Sequence, residues 1–286
     1  MKTLLSIFAL VVASSAVAQK NPINFHLDKE FKFSTTGTIK LNVSDANVII
    51  TGSARETAHV KIDRVITTKG WTFGKESFDV NITEEAGDLT IRQKSRSFTG
   101  VIGYCSERYS ILLELPANAG LTVHGDDGDY KVKNINGAIS FDLDDADVEL
   151  TDCAGSSFYF NMDDGHVNMN GGNGKLEIKG DDTDVRITNA SFSSMVSSTD
   201  DGSLSIETSL TDNGDYRIRA EDGSVILSVT GGGGKFDIRH DDGHVSADSK
   251  FELTRDSDEE KLFTLANGTA NVSIRTEDAR VKLISR

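Results

Sequence analysis

Proline and cysteine are almost missing from this chain, with two of each among 286 residues. Cations are short as well: 30 Lys and Arg face 45 Asp and Glu, a formal net charge of −15. Helical periodicity is hard to find after Gln19. Each shortage excludes something. Two cysteines alone cannot complete a structural zinc centre. A chain this acidic repels nucleic acid and anionic membrane faces, so neither is an expected partner. No stretch after the first residues has the length of a membrane-spanning helix, so no membrane insertion is expected. Among catalytic signatures, G-x-S-x-G, H-E-x-x-H and the P-loop are all lacking.

What is present begins with a leader. Lys2 precedes an apolar run from Leu4 to Val12, and small residues end in Ala16-Val17-Ala18 before Gln19. That is the charged start, short apolar centre and A-x-A end of a secretory signal peptide over residues 1–18. The expectation is a mature chain secreted to the periplasm or cell surface. In an oxidising compartment Cys105 and Cys153 could form a disulfide, worth roughly 3–4 kcal/mol for a long loop; two separate buried thiols are the other reading.

Glycine is abundant, with 26 residues, and much of it serves one device. An acidic turn returns as Asp126-Asp127-Gly128, Asp144-Asp145-Ala146, Asp163-Asp164-Gly165, Asp181-Asp182-Thr183, Asp200-Asp201-Gly202, Glu221-Asp222-Gly223 and Asp241-Asp242-Gly243, then, after a double gap, Glu277-Asp278-Ala279. Successive spacings are 18, 19, 18, 19, 21, 20 and 36. With the first acid as position zero, positions +4 and +6 are apolar or aromatic in every unit, from Tyr130 and Val132 to Val281 and Leu283. Positions −5 and −3 behave alike, as in Phe158 and Phe160, although the unit around Ser197 slips, with Met195 and Val196 out of phase. Alternation of period two on both sides of a turn predicts strand, corner, strand, then a Gly- or Asn-rich return.

Stacking such units in register would place like on like and build a continuous interior. The pattern therefore predicts an all-β parallel β-solenoid (β-helix) with coils of about 18–21 residues. A meander of antiparallel hairpins is the structural alternative. The template also fits Ile39 to Ile50, with Ser44 at zero, and Glu84 to Ile91 with one extra residue. Arg55 to Gly103 is less regular and reads as longer strands with a loop near Lys69 to Lys75. The division expected is an irregular N-terminal β region over 19–115 and regular repeats over 116–286. A C-terminal edge at Val281 and Leu283 would permit end-to-end oligomers.

Ile111-Leu112-Leu113-Glu114-Leu115-Pro116, then Leu121-Thr122-Val123 and Gly128-Asp129-Tyr130-Lys131-Val132, resemble the DUF4097 "putative adhesin" group of secreted bacterial β-solenoid proteins. The resemblance implies a solenoid over roughly Ile39 to Leu283 and supplies no catalytic residues. This chain departs from the pattern in doubling the acid and in placing Ala146, Thr183 or Ala279 where the turn glycine stands.

Stacked corners would align Asp163, Asp164, Asp181, Asp182, Asp200, Asp201, Asp241 and Asp242 into carboxylate ladders that calcium could bridge. The plainer reading is that aspartate suits a solvated turn. No calcium-roll nonapeptide is matched, since Leu176 and Phe236 stand where it needs Asp. His240 and His244 flank one corner, and His166 shares the phase of His244 four coils away. Paired carboxylates also suit glycosidases, but an enzyme should break its repeat at the site, and here the repeat is cleanest where the acids are. Trp71, the only tryptophan, is a candidate ligand contact. The expected function is structural or adhesive, without catalysis or a required cofactor, toward an extracellular or cell-envelope protein or glycan. Alternatives are a calcium-binding surface or matrix protein and a polysaccharide-acting enzyme.

Overall fold

The computed structural model describes residues 23–74, 77–96 and 99–286, with side chains described for 24–69, 78–94 and 102–286. The expected leader, residues 1–18, lies outside them. Among the described residues there are twenty strands and no helix. The chain opens with β1 (Ile23–Lys32), β2 (Thr38–Asn42) and β3 (Ala46–Ser53). Four strands follow: β4 (Thr57–Gly74), β5 (Ser77–Glu85), β6 (Asp88–Arg96) and β7 (Thr99–Pro116). Then come β8 (Gly120–Lys133), β9 (Ile139–Thr151), β10 (Ser157–Asn170) and β11 (Asn173–Asp201), each of which runs through an acidic corner. Shorter strands complete the windings: β12 (Ser203–Ser209), β13 (Asp215–Ala220), β14 (Ser224–Gly231), β15 (Gly234–His240) and β16 (His244–Ala247). A hairpin of β17 (Phe251–Asp256) and β18 (Glu260–Leu265) precedes β19 (Ala270–Thr276) and β20 (Arg280–Ser285).

Through the middle of the molecule successive windings pair in parallel and in register. Phe160 lies between Phe141 and Ile178, and Val167 between Val148 and Val185. The inward positions are almost wholly apolar and buried, and they form one cluster from Phe31 to Leu283. Tyr130, Phe141 and Phe160 follow one another inside it, at centroid separations of 5.6 and 5.9 Å. Met195 is buried at position −5 of its winding, Ser197 is buried at −3, and Val196 faces out. That unit therefore keeps phase and places a serine where the others place a hydrophobe. The core runs unbroken past residue 115, because β2 and β3 both stack on β8.

The order of windings departs from chain order at both ends. β2 lies between β6 and β8, and β3 between β7 and β8. At the other end β19 lies between β13 and β15, and β20 between β14 and β16. The C-terminal strand is thus an interior strand, which corrects the expectation of an open edge at Val281 and Leu283. Beyond these inserted windings the pairing turns antiparallel: β1–β4–β7 and β5–β6 at one end, β15–β18–β17 at the other. A parallel stack through the whole repeat is therefore corrected to a mixed sheet. Glu84 to Ile91 is a hairpin turn, with Ala86 and Gly87 at positive φ, and not a corner of the stack. β4 continues through Lys69 to Gly74 as strand, where a loop was expected.

The corner alternation explains the departures from glycine. In spatial order position +2 reads Ala46, Gly128, Ala146, Gly165, Thr183, Gly202, Gly223, Ala279, Gly243. A Cβ on Gly165 would collide with the carbonyl of Ala146, and one on Gly243 with that of Ala279. Side chains at this tight corner fit in alternate windings, and the inserted Ala46 and Ala279 preserve the alternation everywhere except Gly202–Gly223.

Candidate functional site

The acidic corners come together as the repeat requires. Asp127, Asp145, Asp164 and Asp182 pair in sequence across four windings. Asp163, Asp181, Asp200, Asp201, Asp241 and Asp242 are exposed at the same edge. At strand spacing, neighbouring unit charges repel by about 0.9 kcal/mol in water. Asp45, beside the first ladder acids, has its pKa raised, first by desolvation and then by the charges of Asp127, Glu107 and Asp126. Among the described residues no group of three or more His, Cys, Asp or Glu is disposed to hold a metal ion.

Polar ladders flank the carboxylates. His166 Nδ1 is 3.0 Å from Asp147, and its Nε2 is 3.8 Å from Asp184. Ser203 donates to Asp184 through its amide at 2.8 Å and its hydroxyl at 2.6 Å, which lowers the Asp184 pKa. On the other side of the corner His124 and Asn161 both bond Asp142, at 3.1 and 2.7 Å. The pair at the last corner is not a site: His240 is buried on the inner side and His244 is exposed on the outer. Because β20 is inserted, His166 and His244 are five windings apart, not four, roughly 24 Å at strand spacing.

Cys105 and Cys153 are both free, and only Cys153 is buried, so the pair is neither the disulfide nor the two buried thiols expected. Cys153 is buried between windings, and burial raises its pKa. Cys105 is exposed on a two-stranded ribbon of β4 and β7 that also carries exposed Ile102 and Tyr104. The Trp71 backbone stands opposite Ile102 on that ribbon; its side chain lies outside the described residues.

One feature escaped the sequence reading. Arg219, Arg275 and Arg239 stand Cα to Cα on β13, β19 and β15, all exposed. They stand at position −2 of their windings, and only the insertion of β19 brings Arg275 between the other two. Reading position −2 in its own right would have shown arginine in the last three units.

Residues 37–283 match the family model described as Toastrack DUF4097. The chain belongs to the DUF4097 family. Its Toastrack region takes in all the corner acids and the three arginines. No curated protein matches the chain. Solved structures similar to it include a "putative cell adhesion protein" from Clostridium sporogenes, at 11% identity over 92% of this chain and 100% of that one, with a TM-score of 0.27. A "putative adhesin" from Bacteroides fragilis is 12% identical over 93% and 98%, with a TM-score of 0.40. A "putative lipid binding protein" from Parabacteroides distasonis is 13% identical over 93% and 97%, with a TM-score of 0.38.

Proposed function

We propose that this DUF4097 chain is a secreted, non-enzymatic β-solenoid that binds a partner at the cell envelope or cell surface. One observation carries the reading: outward-facing polar side chains repeat in straight columns at strand spacing over an almost wholly apolar core. Such a surface is rigid before binding, so little conformational entropy is lost on contact. Many weak contacts at a fixed period then add in parallel. The leader at residues 1–18 supports export. Binding of the chain from Gln19 onward to arrayed glycans and to purified envelope fractions tests the reading; no saturable binding in either format would sink it.

The doubled carboxylate ladder favours a second reading, a calcium-dependent surface protein. A ligand at a hundred times its Kd stabilises the folded state by about 2.7 kcal/mol. Melting in millimolar calcium and in chelator separates the readings. Equal midpoints are expected if the acids serve the turn, and a rise in calcium would favour the ladder as an ion site.

A further inference from the structure

We propose that the outer face of β13, β19 and β15 binds a uronate-bearing polysaccharide, with sugar carboxylates seated on Arg219 and Arg275. This rests on the surface-binding reading above and assigns it a ligand class and a place.

The three arginines form a straight column on consecutive strands of a chain whose net charge is −15. They differ in how they are held. Arg239 is tied to Asp237 at 3.5 Å and to Glu260 at 3.3 Å. Arg219 and Arg275 make no ion pair with any described residue. Two exposed arginines on adjacent strands, with no ion pair of their own, are what a bidentate oxyanion ligand would complete. Glu221, Glu277, Asp241 and Glu259 line the same cavity as the three arginines, on its corner side. They bar a polyanion from spreading over the corner and confine it to the opposite flank.

That flank suits a sugar. The same three strands continue there through Asn271 and Ser273, with Asp215 paired to Arg217 and Asp237 to Arg239, beside a cleft that Lys235 of β15 and Leu262 of β18 also line. It lies up to four residues from the arginines, roughly 13 Å along the strands. Short amide and hydroxyl side chains offer paired donors and acceptors to ring hydroxyls, and an aliphatic side chain offers a face for a pyranose. A linear glycan running along the stack would set one charge on each successive strand. An acidic peptide fits less well. Peptides commonly bind sheets by adding a strand to a free edge, and β13 and β19 are paired on both sides.

The test is calorimetric titration of the chain from Gln19 to Arg286 with an oligogalacturonate, its methyl ester and polyglutamate. Saturable binding of the oligogalacturonate and much weaker binding of the ester are expected. In R219Q/R275Q affinity should fall by about tenfold or more, the scale of a lost charge-assisted hydrogen bond. R239Q, whose guanidinium is already engaged, should change it far less. All three side chains are exposed, and unchanged melting midpoints verify the fold. An oligogalacturonate that does not bind overturns the proposal, as does one that binds R219Q/R275Q equally well or an ester that binds as tightly. Tighter binding of polyglutamate with the same arginine dependence overturns the sugar assignment. A neutral glycan or envelope protein that binds R219Q/R275Q as well as the parent would leave the broader reading standing without this site.

Discussion

If the C-terminal winding is interior, Ile274→Ala should behave as a core substitution. Ile274 is fully buried on β19, with Ile218 of β13 on one side and Ile238 of β15 on the other. Truncating a buried isoleucine to alanine costs about 2–5 kcal/mol, through lost transfer energy and the cavity left behind. Were β19 the last strand of a stack laid down in chain order, it would have one neighbour and would fray, and the cost would be about 1 kcal/mol or less. The two arrangements therefore differ by a measurable margin. Hydrogen exchange followed by mass spectrometry reads it directly. In the parent chain, amides of 271–276 should exchange as slowly as those of 215–220, and in Ile274→Ala protection should fall together in β13, β19 and β15. At roughly 2–4 °C per kcal/mol for a domain of this size, the melting midpoint should drop by about 4–20 °C. Fast exchange at 271–276 in the parent, or a midpoint within a degree or two of it in the variant, would refute the inserted order.

Three further outcomes follow from the same geometry. His59 sits between Asp28, 2.8 Å from Nε2, and Glu114, 3.2 Å from Nδ1, and these contacts raise its pKa, Asp28 first. A raised histidine contributes stability below its unfolded value, lost as pH rises through the folded one. Asp28 is lowered, chiefly by His59, so its share is lost as pH falls. Melting should peak between those limits, and His59→Gln should flatten the alkaline limb measured by thermal scans. Gly165→Ala should destabilise by about 1–3 kcal/mol or more, because φ is +111° and a Cβ meets the Ala146 carbonyl; Ala146→Gly, by contrast, should fold with a smaller loss in denaturant titration. A thiol reagent should label one cysteine, Cys105, in the native chain and two after denaturation, and reductant should leave the melting midpoint unchanged.

Much of the architecture was legible because one period repeats. Val148, Val167 and Val185 share a phase in the sequence and a column in the fold, and doubled acids mark every corner from Asp126 onward. Phase along the chain carries no record of which winding lies on which. Asp241 and Glu277 read as consecutive corners, yet the Glu277 winding slots in before that of Asp241. Glu84 to Asp88 imitated a corner because acids and glycine also suit a two-residue hairpin, where positive φ at Ala86 and Gly87 reverses the chain. Ser197 obscured its own winding because a single buried hydroxyl breaks apolar alternation without moving the strand. The arginine column was hidden for the same reason as the winding order: Arg239 and Arg275 lie far apart in the sequence and adjacent in space.

Because β2 and β3 wait between partners made later, and β15 and β16 cannot join the stack until β19 and β20 arrive, the polypeptide cannot mature by simple one-way zippering during translation. Its last stretch adds to β13 and β14, and β15 and β16 then close over it. Such late, long-range closure is slow, and until it happens β13 and β14 each present a bare apolar flank. A chaperone that shields those flanks would gain most at this step, and premature arrest near Leu265 would leave a sticky intermediate.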